Sequence, residues 1–127
     1  MTDRLSLDLI YDWNTAGEAP HWPRQVAISD ETLRDGLQSP SIRQPQIQEK
    51  VYLIYLMDEL GIETADIGLP GAGERFQRDV TVLAREIANQ GLRLRPQAAA
   101  RSVEADIRPV VEASQAAGIP IEAAIFL

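Results

Sequence analysis

Three times along this chain, a helix-like stretch ends at a glycine that is followed by a branched apolar residue. The pairs are Gly61-Ile62, Gly91-Leu92 and Gly118-Ile119, and the glycines are separated by 30 and then 27 residues. A glycine after a helix supplies the left-handed C′ position, and the apolar residue that follows can begin a strand. This spacing is typical of consecutive βα units on a parallel sheet.

The spacing of apolar residues between these glycines predicts an α/β fold with the order βαβαβαβ. We predict helices at about 45–60 and 75–90, and a third that begins after the N-cap candidate Ser102. The strands are predicted at 26–28, 63–69, 93–99 and 121–126. A complete eight-stranded barrel needs about 250 residues, so the chain is a fragment, a half-barrel that pairs with another copy, or a small open α/β domain. The chain ends in the apolar sequence AAIFL without a helix cap, a polar tail or a turn, which is typical of a chain that has been cut short.

Composition limits the class of protein further. The 127 residues are 45% hydrophobic, which is enough for one modest core. A net charge of −7 argues against nucleic acid or an anionic membrane as a partner. There is no cysteine, and we see neither a secretory signal nor an apolar stretch near the roughly 20 residues that span a bilayer. We therefore expect a cytoplasmic protein.

The first 25 residues differ from the rest because they show no sustained hydrophobic period. We predict an N-terminal arm over residues 1–25, followed by one domain over residues 26–127. Ile10, Tyr11 and Trp13 would lie on the outside of the domain or against a partner, and His21 would be an arm residue rather than a metal ligand.

The segment at residues 28–38, ISDETLRDGLQ, places three acids and one arginine between the first strand and the first helix. Barrels of this class build their sites from the loops that follow the strands. A lone acid there is often only an N-cap, but a carboxylate also suits Mg²⁺ or Mn²⁺, which prefer oxygen ligands. Gly36 permits a tight or positive-φ backbone just after Asp35.

The string DETLRDGLQ at residues 30–38 closely resembles the motif that opens the barrel of the metal-dependent acyl-CoA synthases and lyases. This family includes isopropylmalate synthase, homocitrate synthase and hydroxymethylglutaryl-CoA lyase. The segment ADIGLP at residues 65–70 is similar to the family's E-x-G-F-P segment on the second strand. The resemblance implies that residues 26–127 are the N-terminal half of a TIM-barrel catalytic domain, ending after its fourth strand.

The resemblance also implies a role for five residues. Asp35 would bind a divalent metal, Mg²⁺ or Mn²⁺ with Zn²⁺ as a further option, together with two histidines of a later HxH motif that has no counterpart here. Arg34 would stabilise negative charge on the enolate or carbonyl oxygen, and Gln38 would lie near the metal and substrate. Asp66 replaces the family's glutamate, which pairs with the arginine and substrate. Arg101 would contact a substrate carboxylate.

Each of these residues also has a plain structural interpretation. Arg34 could pair with Asp30 or Glu31, and Asp66 with Arg34 or Arg95. Arg101 could pair with Glu104, Gln38 could cap a loop, and the glycines at 71 and 73 could form an ordinary turn rather than a phosphate contact.

By resemblance, the leading hypothesis is a condensation of acetyl-CoA, or another acyl-CoA, with an α-keto acid, in a homo-oligomeric enzyme. The sequence RDGLQ at residues 34–38 favours the lyase direction, in which a hydroxyacyl-CoA is cleaved. A hypothesis from a different class of protein is a phosphoacceptor signalling domain. In that domain Asp30 and Glu31 would form the metal-binding acid pair, and Asp66 would accept the phosphoryl group. A non-catalytic half-barrel, whose apolar fourth strand makes it associate, is a further alternative.

Overall fold

The computed structural model describes residues 25–126, so the predictions for the N-terminal arm, from Ile10 to His21, lie outside the described residues. Strands and helices alternate along the described chain, which confirms the predicted α/β fold. The elements are β1 (Ser29–Asp30), α1 (Ile47–Leu60), β2 (Thr64–Asp66), α2 (Glu74–Gln90), β3 (Arg95–Arg101), α3 (Glu104–Ala117) and β4 (Glu122–Phe126).

The four strands form one parallel sheet in the order β1-β2-β3-β4. Ser29 pairs with Thr64, Thr64 with Arg95, and Gln97 with Glu122. Each strand therefore lies beside the next strand in the sequence, as in the wall of a barrel. A phosphoacceptor module has a doubly wound sheet in which the strand order reverses, so the topology of the described strands contradicts the signalling alternative.

All three helices end at the glycines that the sequence singled out. Gly61, with φ 78°, follows α1 in the left-handed conformation, and Gly91 and Gly118 follow α2 and α3 in the same way. At its start, α1 has a capping box, because the Gln46 side chain accepts from the backbone of Glu49 and the Glu49 carboxylate accepts from the backbone of Gln46 at 2.7 Å.

The core lies between the sheet and the helices. Small residues on β3 let the helices approach the sheet closely, since Ala98 and Ala100 are fully buried in the core. Aliphatic side chains from the helices fill the space above them, and these include Ile54, Val80, Leu83, Ile87 and Val110. Within the described residues, no helix combines the length and the apolar character needed to cross a bilayer.

The first predicted strand is wrong in position and in burial. Val26 and Ile28 are 66% and 55% exposed, and the strand begins only at Ser29. The Ile28 carbonyl still accepts hydrogen bonds from the backbone of Glu63 and Thr64 at 3.1 and 3.3 Å. Because β1 is an edge strand, its apolar neighbours are covered only if another strand or segment packs beside them.

Two helix details also differ from the predictions. Ser102 is not the N-cap of α3, since that position is taken by Val103 without any side-chain hydrogen bond. Some apolar residues of the predicted helices are exposed, notably Leu60, Phe76 and Val111. Others, such as Ile54, Leu83 and Val110, are buried. Apolar spacing therefore located the helices but not the extent of their buried faces.

Candidate active site

The loop that follows β1 is folded by its own backbone. The Glu31 carbonyl accepts hydrogen bonds from the backbone of Arg34 and Gly36 at 3.2 and 3.1 Å, and the buried Leu33 side chain anchors the loop in the core. At the loop's start, the Asp30 carboxylate accepts from the backbone and hydroxyl of Thr32 at 2.8 and 3.2 Å. This turn brings Arg34 to the carboxyl end of the sheet.

The glycine of the motif does not need a special backbone. Gly36 is not among the described positive-φ residues, so the positive-φ option is wrong and the tight turn is the one observed. A Cβ at this position would meet only Thr32, at an ordinary 3.7 Å.

Arg34 is held by three carboxylates from two parts of the chain. Its Nε lies 3.1 Å from Oδ2 of Asp66, its Nη2 lies 2.5 Å from Glu31, and its Nη1 lies 3.3 Å from Asp35. The plain ion pairs expected for Arg34 with Glu31 and for Asp66 with Arg34 are therefore both present. The guanidinium plane is fixed between the ends of β1 and β2.

Asp66 is the buried partner in this cluster, with 2% of its surface exposed. Its Oδ1 accepts a hydrogen bond from the backbone N–H of Gly68 at 3.1 Å. Burial raises the pKa of Asp66, and the hydrogen bonds from Gly68 and Arg34 oppose that rise. The arginine therefore has a nearby carboxylate that solvent scarcely reaches.

Asp35 occupies a different environment, because its side chain is 66% exposed. It occupies the N-cap position of the short 3₁₀ turn Gly36–Gln38, but its side chain makes no capping hydrogen bond there. An exposed carboxylate beside Arg34 has the oxygen chemistry that a hard divalent ion requires. Within residues 25–126, however, no group of three or more acidic, histidine or cysteine side chains could hold a metal. Asp35 fits as one ligand, and a full shell needs further donors.

Gln38 and Arg34 line a small cavity of about 180 Å³ beneath the loop. Its wall also contains an ion pair that the sequence did not predict, between Lys50 on α1 and Asp79 on α2, with 2.8 Å between Nζ and Oδ2. The Lys50 side chain is only 6% exposed. The signal was present in the spacing, because Lys50 falls three residues after Ile47 and so lies on the apolar face of α1.

Arg101 lies at the end of β3, in a separate cluster. Its Nε and Nη2 donate to the two oxygens of Asp106 at 2.7 and 2.8 Å, and its backbone N–H donates to Oδ2 at 3.1 Å. The expected pairing with Glu104 is wrong, since Glu104 pairs with Arg108. Hydrogen bonds from Arg101 lower the pKa of Asp106 to about 2.

The glycine-rich turn after β2 packs against this second cluster. A Cβ on Gly71 would lie 2.8 Å from Cγ and 2.9 Å from Cα of Asp106, so only glycine fits there without displacing backbone. The turn Pro70–Ala72 is thus shaped by its contact with the start of α3, which agrees with the plain loop interpretation.

Comparison with known proteins agrees with this sheet and this cluster. The pattern of the HMGL-like family matches residues 25–124. A 2-isopropylmalate synthase of Xylella fastidiosa (strain M23) is 32% identical over 98 residues, covering 77% of this chain and 18% of that protein. Homocitrate synthase AksA of Methanopyrus kandleri is 34% identical over 85 residues, covering 67% of this chain and 20% of that protein.

The described residues form an α/β domain with an arginine-carboxylate cluster at the carboxyl ends of its parallel strands. The chain belongs to the HMGL-like family, which confirms the resemblance to the acyl-CoA synthases and lyases. It spans about a fifth of the length of the curated relatives it matches.

Proposed function

We propose that this chain forms the first half of the barrel of an enzyme that condenses acetyl-CoA with an α-keto acid. The observation that carries the proposal is the placement of Arg34 and Asp35 side by side at the carboxyl end of β1, with Arg34 held by buried Asp66 and Asp35 exposed. Family membership and the synthase names of the relatives support the same reaction class.

In this proposal Asp35 contributes one oxygen ligand to a divalent metal, Mg²⁺ or Mn²⁺ with Zn²⁺ as the alternative. When bound, such an ion polarises a carbonyl oxygen as a Lewis acid. Part of the ligand shell comes from outside the described residues, because Asp35 alone does not complete one. Its exposed position leaves it accessible to those donors.

Arg34 acts on the developing negative charge. In the condensation, a base takes a proton from the acetyl methyl group, and the resulting carbanion forms a C–C bond to the keto carbon as the carbonyl π bond breaks, which leaves the former keto oxygen negatively charged. That oxygen is then protonated, and water cleaves the thioester C–S bond and releases the CoA thiol. A planar, permanently charged guanidinium that is already fixed can stabilise this oxygen without reorganising. Asp66 and Glu31 orient Arg34 by holding its Nε and Nη2.

Gln38 and Arg101 are the further substrate contacts in this proposal. Gln38 is supported by its position beside Arg34 in the cavity wall. For Arg101, Nε and Nη2 are engaged by Asp106, so a substrate carboxylate would meet Nη1. Asp66 would contact substrate only through the oxygen it shares with Arg34, since it is nearly inaccessible to solvent.

The experiment is an assay of thiol release from acetyl-CoA by the intact barrel enzyme, with Mg²⁺ or Mn²⁺ and a panel of α-keto acids. Arg34→Ala should lower kcat by about 10²-fold or more, as removal of one oxyanion donor does. Arg43→Ala is the matched control, because Arg43 is an exposed arginine before α1 whose salt-bridge partner within residues 25–126 is Glu49. Absence of thiol release with every keto acid contradicts the proposal.

The lyase direction is the second candidate, and the sequence RDGLQ at residues 34–38 favours it. Supplying a hydroxyacyl-CoA in place of acetyl-CoA and following its cleavage separates the two directions. For the 127 residues alone we propose no turnover in either assay, since the described residues supply one metal ligand of the site. Turnover by this chain would contradict that proposal.

A further inference from the structure

Asp106, on the first turn of α3, is a buried carboxylate to which the proposed reaction assigns no part. Its side chain is 3% exposed, and both of its oxygens accept from the guanidinium of Arg101 at the end of β3. Its Oδ2 also accepts the backbone N–H of Arg101 at 3.1 Å. One carboxylate therefore holds both the backbone and the guanidinium of Arg101, and the two parallel side-chain hydrogen bonds fix the guanidinium plane.

The turn after β2 packs against the same carboxylate. A Cβ on Gly71 would lie 2.8 Å from Cγ and 2.9 Å from Oδ1 of Asp106. Gly71 is not among the described glycines with positive φ, so its backbone conformation does not itself require glycine. The close approach to Asp106 does require it. Asp106 is thus enclosed between Arg101 and the turn, and its carboxylate has no room to rotate toward Gly71.

The guanidinium of Arg101 keeps one side open. Its Nε and Nη2 donate to Asp106, whereas Nη1 donates no hydrogen bond within residues 25–126, and the side chain is 63% exposed. Gln97 pairs with Asp66 across β2 and β3. Because alternate residues of a strand share a face, Arg101 lies on the same face of the sheet as Asp66. Nη1 is therefore accessible at the end of the sheet where Arg34 is held.

We propose that Asp106 is a positioning residue that directs Nη1 of Arg101 toward the carboxylate of the α-keto acid. This inference rests on the proposed function, because it takes Arg101 as the group that meets this carboxylate. An exposed arginine side chain has many conformations, and fixing it before substrate arrives removes an entropy cost from binding. Gly71 contributes by leaving the space that the Asp106 carboxylate occupies.

Steady-state kinetics of the intact barrel enzyme test this role, with KM measured separately for the α-keto acid and for acetyl-CoA. Asp106→Asn should raise KM for the keto acid by about tenfold or more, the scale of one hydrogen bond between charged groups. It should leave KM for acetyl-CoA unchanged. A purely structural role would lower the folded fraction, which reduces apparent kcat but not KM. Glu104→Gln is the matched control, since it removes an exposed acid from the same turn of α3 and should leave both KM values unchanged.

Two further variants test whether the effect passes through Arg101. Gly71→Ala should raise KM for the keto acid, because the added Cβ displaces the Asp106 carboxylate. Arg101→Lys keeps the positive charge but loses the paired hydrogen bonds, so it should raise the same KM. Adding Asp106→Asn to Arg101→Lys should then raise it little further, since residues that act as a unit are not additive. Fully additive increases would overturn the inference.

The remaining outcomes separate this inference from the proposed function. If the unmodified enzyme releases no thiol with any keto acid, the proposed function is overturned and this inference with it. If the unmodified enzyme turns over and KM for the keto acid is unchanged in Asp106→Asn, this inference alone is overturned. Equal increases in both KM values overturn it as well. If Asp106→Asn does not fold, Gly71→Ala decides, and an unchanged KM for the keto acid in that variant overturns the inference.

Discussion

Nε of Arg34 lies 3.1 Å from Oδ2 of Asp66, and this contact joins the loop after β1 to the end of β2. Asp66 is nearly inaccessible to solvent, so Arg34 neutralises a charge that the fold has already removed from water. The arginine that we propose to act on substrate thus also stabilises the fold. Its removal should affect both catalysis and stability, and separate measurements can distinguish the two.

The first prediction concerns stability. Arg34→Ala should lower the free energy of unfolding by about 2 kcal/mol, because it leaves a buried carboxylate with only the Gly68 N–H as partner. Urea denaturation of this chain measures the loss, with Arg43→Ala as the control. Adding Asp66→Asn should recover part of it, since the buried charge is then absent. A loss in Arg34→Ala no larger than that of Arg43→Ala would show that the contact contributes nothing.

The second prediction concerns acid unfolding. The pKa of Asp106 is lowered from 3.8 to about 2, so its contribution to stability is present above about pH 4 and is lost as the pH falls through about 2. The contribution of Asp66 to stability has the opposite pH dependence. Because its pKa is raised, this contribution is lost as the pH rises through the raised value. Stability measured from pH 2 to 7 should lose part of its acid-side slope in Asp106→Asn, and Asp66→Asn should become relatively more stable at the upper end. Unchanged profiles would contradict both assignments.

The third prediction concerns the ion pair between α1 and α2. Lys50→Met should destabilise the chain by about 3 kcal/mol, since it leaves Asp79 without its partner in a largely buried position. The double variant Lys50→Met/Asp79→Leu should recover most of this loss, because the pair is replaced by apolar packing. Arg43→Met removes one half of an exposed pair and should cost less than about 1 kcal/mol. Equal losses in the two single variants would mean that burial of Lys50 has no energetic consequence.

The fourth prediction concerns association. Ile125 and Phe126 are exposed on the edge strand β4, and an unpaired apolar edge invites another chain to pair with it. We propose that the 127-residue chain self-associates, which light scattering at increasing concentration measures. Ile125→Lys should reduce the association, while Val82→Lys, on an exposed face of α2, should not. A chain that stays monomeric at every concentration would show that β4 does not mediate self-association.

The sequence predicted the fold well where local chemistry decides structure. Each helix ends at a glycine that permits the left-handed backbone, and these glycines together with the apolar spacing between them located the helices and the strands after them. The first strand was predicted wrongly, because Val26 and Ile28 have the composition of buried strand residues but occupy an edge. Burial at an edge depends on what lies beside it, and a local sequence pattern does not contain that information.

The motif placed Arg34 and Asp35 at the end of β1, and the segment ADIGLP singled out Asp66, which the structure brings beside Arg34. The sequence did not show that Arg101 lies in a separate cluster. The pairings of Arg101 with Asp106 and of Lys50 with Asp79 were missed, because each joins two elements whose packing the sequence does not give. Charged partners on different helices cannot be assigned from their spacing along one chain.

We propose that Asp35 binds a divalent metal beside Arg34, and a Mn²⁺ titration of the intact barrel enzyme measures this binding. Asp30→Asn is the matched control, since the Asp30 carboxylate is already engaged by Thr32. We expect Asp35→Asn to weaken Mn²⁺ binding by about tenfold or more, as loss of roughly 1.4 kcal/mol of binding energy would do, and Asp30→Asn to leave it nearly unchanged. Equal Mn²⁺ affinities in the unmodified enzyme and Asp35→Asn would contradict it.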